Sequence, residues 1–102
     1  MFQVDIVSDR DCTRLLCRGE LDGASLPKLR RCLDDLLAAR ALRVEIDLEE
    51  VKSLDTRAIS TIVAAHERFR SRRGQLYIGR CSDGLDRLLE SRALRFLRCA
   101  SA

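Results

Sequence analysis

Residues 44–59 read Val-Glu-Ile-Asp-Leu-Glu-Glu-Val-Lys-Ser-Leu-Asp-Thr-Arg-Ala-Ile, and the rhythm of apolar positions changes inside that stretch. Val44, Ile46 and Leu48 alternate with Glu45 and Asp47, the period of a strand with one buried face. Ile59, Ile62, Val63, His66 and Phe69 then recur at the three- and four-residue steps of one helix face, and Gly74 is read as the end of that helix. Residues 49–54 read as the loop between the two. Asp55 stands where a helix N-cap belongs, because its carboxylate can accept the backbone N–H of Ala58 three residues on. A strand feeding a helix through a short connection is the unit from which α/β folds are built.

The pattern extends in both directions. Upstream, Phe2, Val4 and Ile6 alternate as a first strand, and residues 14–21 form a second that closes with Gly19. Asp22, Gly23 and Ser25 are turn and helix-start residues, and Pro27 sits in the first helical turn, where a missing N–H does no harm. Leu26, Leu29, Leu33, Leu36 and Leu37 line a helix that ends near Arg40. Downstream, residues 76–78 form a fourth strand. Ser82 or Asp83 caps a third helix carrying Leu85, Leu88 and Leu89, and Leu94, Phe96 and Leu97 close the chain as a fifth, short strand. The expected fold class is α/β: a mixed sheet of four to five strands with three or more helices packed on it, residues 1–102 forming one domain.

Composition narrows the function. The chain has 102 residues, of which 46% are hydrophobic and 34% charged, which fits a globular domain and not a disordered one. The net charge of +3 comes from scattered basic residues, so it does not argue for nucleic acid. No run approaches the ~20 apolar residues of a membrane span, and residues 1–10 lack the basic flank and apolar core of a signal peptide. A cytoplasmic location without membrane insertion is expected.

The five cysteines, Cys12, Cys17, Cys32, Cys81 and Cys99, contain no CxxC pair. With a single histidine beside them they do not make a zinc set. Cys12 and Cys17 on one extended segment lie about 16 Å apart and cannot bridge. The thiols read as structural, with Cys17 and Cys32 facing the core; a Cys81–Cys99 bridge is the redox alternative. No metal, cofactor or catalytic residue is expected. Phosphate-binding loops, GxSxG and HExxH are absent, and His66 lies on the apolar stripe of its helix as a packing residue. Asp34-Asp35 and Glu49-Glu50 read as solvated faces.

Thr56 is different. It follows the capping Asp55 in the first turn of a helix, where its hydroxyl meets partners and a phosphate would gain from the helix dipole while Asp55 opposes it. Gly19-Glu20-Leu21-Asp22, Ile46-Asp47-Leu48 and Leu54-Asp55-Thr56-Arg57-Ala58-Ile59, in this order and spacing, resemble the STAS domain, in particular its anti-sigma-factor antagonist branch. The resemblance runs from about Val4 to Leu97.

That resemblance implies a non-enzymatic partner-switching protein. The unphosphorylated antagonist binds an anti-sigma factor that is also a serine/threonine kinase and so frees the sigma factor; phosphorylation breaks the complex and a phosphatase restores it. Carried over by position, Thr56 is the phosphoacceptor, Asp55 its preceding acid, and Asp22 the loop aspartate beside the partner surface. The expected partner surface comprises Asp22, Gly23, Ser25, Asp55, Thr56, Arg57, Ala58, Ile59 and Ser60, with Ile59 or Ser60 exposed beside Thr56. Ala58 replaces the family's usual Gly, adding a methyl where a partner backbone approaches. Arg57 replaces a small residue and adds a cation able to pair with a phosphate or an acidic partner. The alternative within the same resemblance is a stand-alone STAS subunit of a lipid-trafficking ABC transporter, which binds the transporter's ATPase.

Overall fold

A computed structural model describes residues 1–98. Leu15, Cys17 and Leu21, then Val44, Ile46 and Leu48, then Leu76 and Ile78 are buried, and the residues between them face the other side of a sheet. The chain runs β1 (Gln3–Ser8), β2 (Thr13–Leu21), α1 (Leu26–Ala38), β3 (Arg43–Leu54), α2 (Thr56–Ser71), β4 (Gln75–Cys81) and α3 (Asp83–Ser91), then a 3₁₀ turn, Arg95–Arg98. The four strands lie in sequence order. β1 and β2 form an antiparallel hairpin, whereas β2–β3 and β3–β4 are parallel. A parallel pair needs a crossover connection, and α1 and α2 supply the two crossovers.

Leu26, Leu29, Leu33 and Leu37 of α1, Ile62, Ala65 and Phe69 of α2, and Leu85 and Leu89 of α3 join the buried strand residues in one core. A single core places the helices on one face of the sheet. The other face carries charge. Arg14 donates to Glu45 at 2.7 Å, the Tyr77 hydroxyl donates to the same carboxylate at 3.2 Å, and Arg18 donates to Asp5 at 2.9 Å. Asp47, in the middle of β3, is buried on this face; its Oδ2 accepts from Arg80 at 2.9 Å and its Oδ1 accepts the N–H of Glu49 at 3.0 Å.

Four expectations need correction. Residues 49–54 are not a loop. β3 continues to Leu54, pairing with β2 beyond the last residue of β4 that it meets. The β2–β3 ladder shifts register twice, between Leu16 and Arg18 and between Gly19 and Glu20. Each irregularity breaks strict alternation, so the period-two signal fades although the strand persists. Second, Leu94, Phe96 and Leu97 make no strand. Arg95–Arg98 forms a 3₁₀ turn that buries Leu97 and leaves Phe96 exposed, because two adjacent apolar residues cannot alternate. Third, the left-handed residue ending α2 is Arg73 (φ 61°), one position before Gly74. Fourth, Cys12 lies in the β1–β2 turn rather than on β2; there Asp9 Oδ1 accepts the N–H groups of Asp11 and Cys12, each at 2.9 Å. Those bonds hold the Asp9 carboxyl below its ordinary value.

Gly19 is required where it stands. Its φ is +97°, and a Cβ there would run into the Met1 carbonyl oxygen.

Candidate functional site

The register of β2 with β3 sets the site's geometry. The ladder ends with Leu21 opposite Leu54, so the two strands stop together, and the Asp55 N–H donates to the Leu21 carbonyl at 3.3 Å. The loop after β2 and the start of α2 are therefore neighbours, although more than 30 residues separate Asp22 from Thr56 in sequence.

The loop is shaped by Asp22. Its Oδ1 accepts the N–H of Ala24 at 3.0 Å and that of Ser25 at 3.2 Å, an Asx turn. The Ser25 hydroxyl donates back to the Glu20 carbonyl at 2.9 Å, and Ser25, the N-cap of α1, has helical rather than extended backbone angles and makes no capping bond of its own. The loop meets α2 through Gly23. The Arg57 guanidinium lies against that glycine so closely that a side chain at Gly23 would push it aside.

At the start of α2 the Asp55 Oδ1 accepts the Ala58 N–H at 2.9 Å, as expected of an N-cap. This bond, aided by the Arg57 cation, which reaches Oδ2 at 3.4 Å, holds the Asp55 carboxyl below its ordinary value. Thr56, Arg57 and Ser60 are exposed, as is Asp22; Gly23, Ser25 and Asp55 are half-buried. Ala58 and Ile59 are not available at the surface. Ala58 is fully buried in the core and Ile59 is 5% exposed. The expectation that Ile59 adds exposed contact area is thus corrected; Ser60 alone of that pair is exposed.

An open groove of about 340 Å³ continues from Thr56 along the α1–α2 interface. Leu33, Ala64 and Ala65 give it an apolar floor, and Thr56, Ser60 and Thr61 line it with hydroxyls. Arg30, Arg57 and Arg68 stand around it with one carboxylate, Asp34. Asp34 binds Arg68 at 2.6 Å, and Arg30 donates to the Thr61 hydroxyl at 3.4 Å. Sequence reasoning missed Arg30, Asp34 and Arg68. No motif spacing links residue 30 to residue 56; only the packing of α1 on α2 does.

His66 is a packing residue. It is buried, its Nδ1–H donates to the Leu76 carbonyl at 2.7 Å, and its ring meets Phe96 edge-on at 5.3 Å. Cys17 is buried and Cys32 half-buried; burial pushes the Cys17 thiol up to about 12 and raises those of Cys32 and Cys81. Cys99 lies outside the described residues.

The family model of the STAS domain matches residues 3–97. The chain belongs to the STAS domain family. Among relatives of this STAS chain, the anti-sigma-B factor antagonist of Listeria monocytogenes is 30% identical over 82 residues, which cover 80% of the chain and 72% of the relative. The anti-sigma-B factor antagonist of Listeria innocua matches with the same figures. The fold matches an anti-sigma factor antagonist from Mycobacterium paratuberculosis with a TM-score of 0.84 at 15% identity, covering 96% of this chain and 83% of that one. It also matches the Bacillus cell fate determinant SpoIIAA in its phosphorylated form, with a TM-score of 0.74 at 14% identity, covering 100% and 92%. No helix among the described residues is long and apolar enough to cross a membrane.

Proposed function

We propose that this STAS chain is a cytoplasmic anti-sigma-factor antagonist that acts by binding, with no reaction of its own. It binds an anti-sigma factor that is also a serine/threonine kinase and thereby frees the sigma factor. The observation that carries the reading is the exposed Thr56 hydroxyl, directly after the capping Asp55, at the place where the Asp22–Ser25 loop and α2 come together. The Listeria relatives bear the name of anti-sigma-B factor antagonists, and SpoIIAA, which shares the fold, exists in a phosphorylated form.

The contact surface in this reading comprises Asp22, Gly23, Ser25, Asp55, Thr56, Arg57 and Ser60. Asp22 and Asp55 shape it from below, since their Oδ1 atoms are engaged by backbone N–H groups. Thr56, Arg57 and Ser60 meet the partner. Ala58 and Ile59, being buried, support the helix and touch nothing outside. The kinase transfers the terminal phosphoryl group of ATP to Thr56 Oγ1, and the hydroxyl proton leaves. A phosphatase later returns the hydroxyl by hydrolysis. In the complex the phosphoryl group has no room and its charge finds no water, so the partner lets go.

The test is capture of native partners on the immobilised chain, then incubation with the captured kinase and ATP, read by mass spectrometry. An anti-sigma kinase on the column and a single phosphate on Thr56 are expected. Substitution of Arg57 or Ser60 by alanine weakens capture while leaving the melting curve unchanged. Capture of a transporter ATPase, or phosphate elsewhere than on Thr56, overturns the reading.

A further inference from the structure

We infer that Arg30 and Arg57 form a guanidinium clamp that holds the phosphoryl group of phosphorylated Thr56 in the α1–α2 groove, an inference that rests on the reading of Thr56 as the modified residue. Thr56 and Ser60 are one helical turn apart on α2, so they share the face that lines the groove. Arg30 enters the same groove from α1, and Arg57 stands beside Thr56 on α2. A dianion attached to the Thr56 oxygen therefore finds two guanidiniums lining the same groove, one from each helix.

Both guanidiniums are free to turn to it. Arg30 is exposed, and its bond to the Thr61 hydroxyl is 3.4 Å long. Arg57 is also exposed, its side chain 73% so, and its bond to Asp55 is again 3.4 Å. Guanidinium bonds to phosphate oxygens form at roughly 2.7–2.9 Å, shorter than either present bond, and the dianion carries more charge than the Thr61 hydroxyl or the Asp55 carboxylate, so the exchange favours the phosphate. Arg68, the third cation of the groove, is already committed to Asp34 at 2.6 Å, which keeps that carboxylate from repelling the phosphate. Two acids remain nearby. Asp55 and Asp22 each have Oδ1 engaged by backbone N–H groups, and their charges oppose a phosphate at Thr56. The clamp offsets that opposition. It also fills the hydroxyl-lined mouth of the groove with the phosphoryl group, so modification changes the shape of the surface as well as its charge.

The test installs phosphothreonine at position 56 of the full chain during synthesis, so that no kinase is needed. The second ionisation of the phosphate is then followed by ³¹P NMR. An unconstrained phosphothreonine ionises near pH 6. In the folded protein the transition is expected about half a unit or more below that of the same chain in urea, because cations favour the dianion. Arg30→Gln and Arg57→Gln each move it back toward the urea value. Arg72→Gln, about 24 Å along the helix at 1.5 Å per residue, is the control and leaves it in place. A transition that Arg30→Gln does not shift, or that Arg72→Gln shifts equally, overturns the clamp. Because the phosphate is built in, this result is independent of whether a cellular kinase modifies Thr56: a missing kinase defeats the functional reading, and an unmoved transition defeats the clamp.

Discussion

Asp55 binds the Ala58 N–H best as a carboxylate, and this makes the start of α2 sensitive to acid. Its folded-state value lies below the ordinary 3.8, through the Ala58 bond first and the Arg57 cation second. A carboxyl depressed by folding stabilises the native state above its unfolded value and loses that contribution as pH falls through the folded one. Urea unfolding between pH 6 and pH 2.5 should therefore show part of the acid loss disappearing in Asp55→Asn, which keeps an uncharged cap. Identical pH profiles for the two proteins would contradict this. Cys17 acts at the other end of the scale. Its thiol is pushed from 9.0 to about 12, chiefly by burial. A raised thiol stabilises fully below the unfolded value of 9.0, and that contribution is lost as pH rises from there toward 12. At pH 8, iodoacetamide should leave Cys17 unmodified in the folded chain and label it in urea, as peptide mass spectrometry can show.

At the scale of elements, all three helices end on a non-glycine residue in the left-handed region. Arg40, Arg73 and Ala93 have φ of 59°, 61° and 57°. Each precedes a residue whose N–H reaches back to the last turn: Ala41 to Leu36, Gly74 to Phe69 and Leu94 to Leu89. These are Schellman closures built without the residue that suits them. Ala93→Gly removes the strain at the loss of one exposed methyl and should raise stability by about 0.5–1 kcal/mol in urea titration, the strain relieved exceeding the added freedom of the unfolded glycine. The same feature explains part of what the sequence hid. Gly74 was legible as a stop, but nothing in composition marks Arg40, Arg73 or Ala93 as left-handed. The helices themselves were plain, since Leu26 to Leu37 and Ile59 to Phe69 keep their period. The second half of β3 was not, because the two register shifts, between Asp47 and Glu50 and between Val51 and Ser53, destroy alternation where Glu49-Glu50 and Lys52-Ser53 already look like loop.

At the scale of the whole molecule, the site is a product of topology. The Asp55–Thr56 step was readable as a capped helix start, and Asp22–Ser25 as a turn. That the two are neighbours follows from the parallel pairing of β2 with β3, which a sequence can suggest but the ladder from Thr13–Val44 to Leu21–Leu54 establishes. Arg30 could not be found from spacing at all; it joins the site only because α1 packs beside α2. The core that holds this arrangement is continuous, so its loss is global: Phe69→Ala, at a side chain 1% exposed, should cost about 3–5 kcal/mol and abolish binding through unfolding. Thr56 is the reverse case: the position is exposed, so substitution there should change binding and leave the fold intact. Glutamate is tolerated there because a negative side chain suits the first turn of a helix, yet in an interface fitted to a neutral threonine it buries an unpaired charge. The direct measurement is calorimetric titration of the cognate anti-sigma factor with the parent, Thr56→Ala and Thr56→Glu, each with an unchanged melting temperature. The account predicts that Thr56→Ala binds like the parent and that Thr56→Glu loses roughly a thousandfold in affinity, about 4 kcal/mol. Equal affinity of Thr56→Glu and the parent would contradict it.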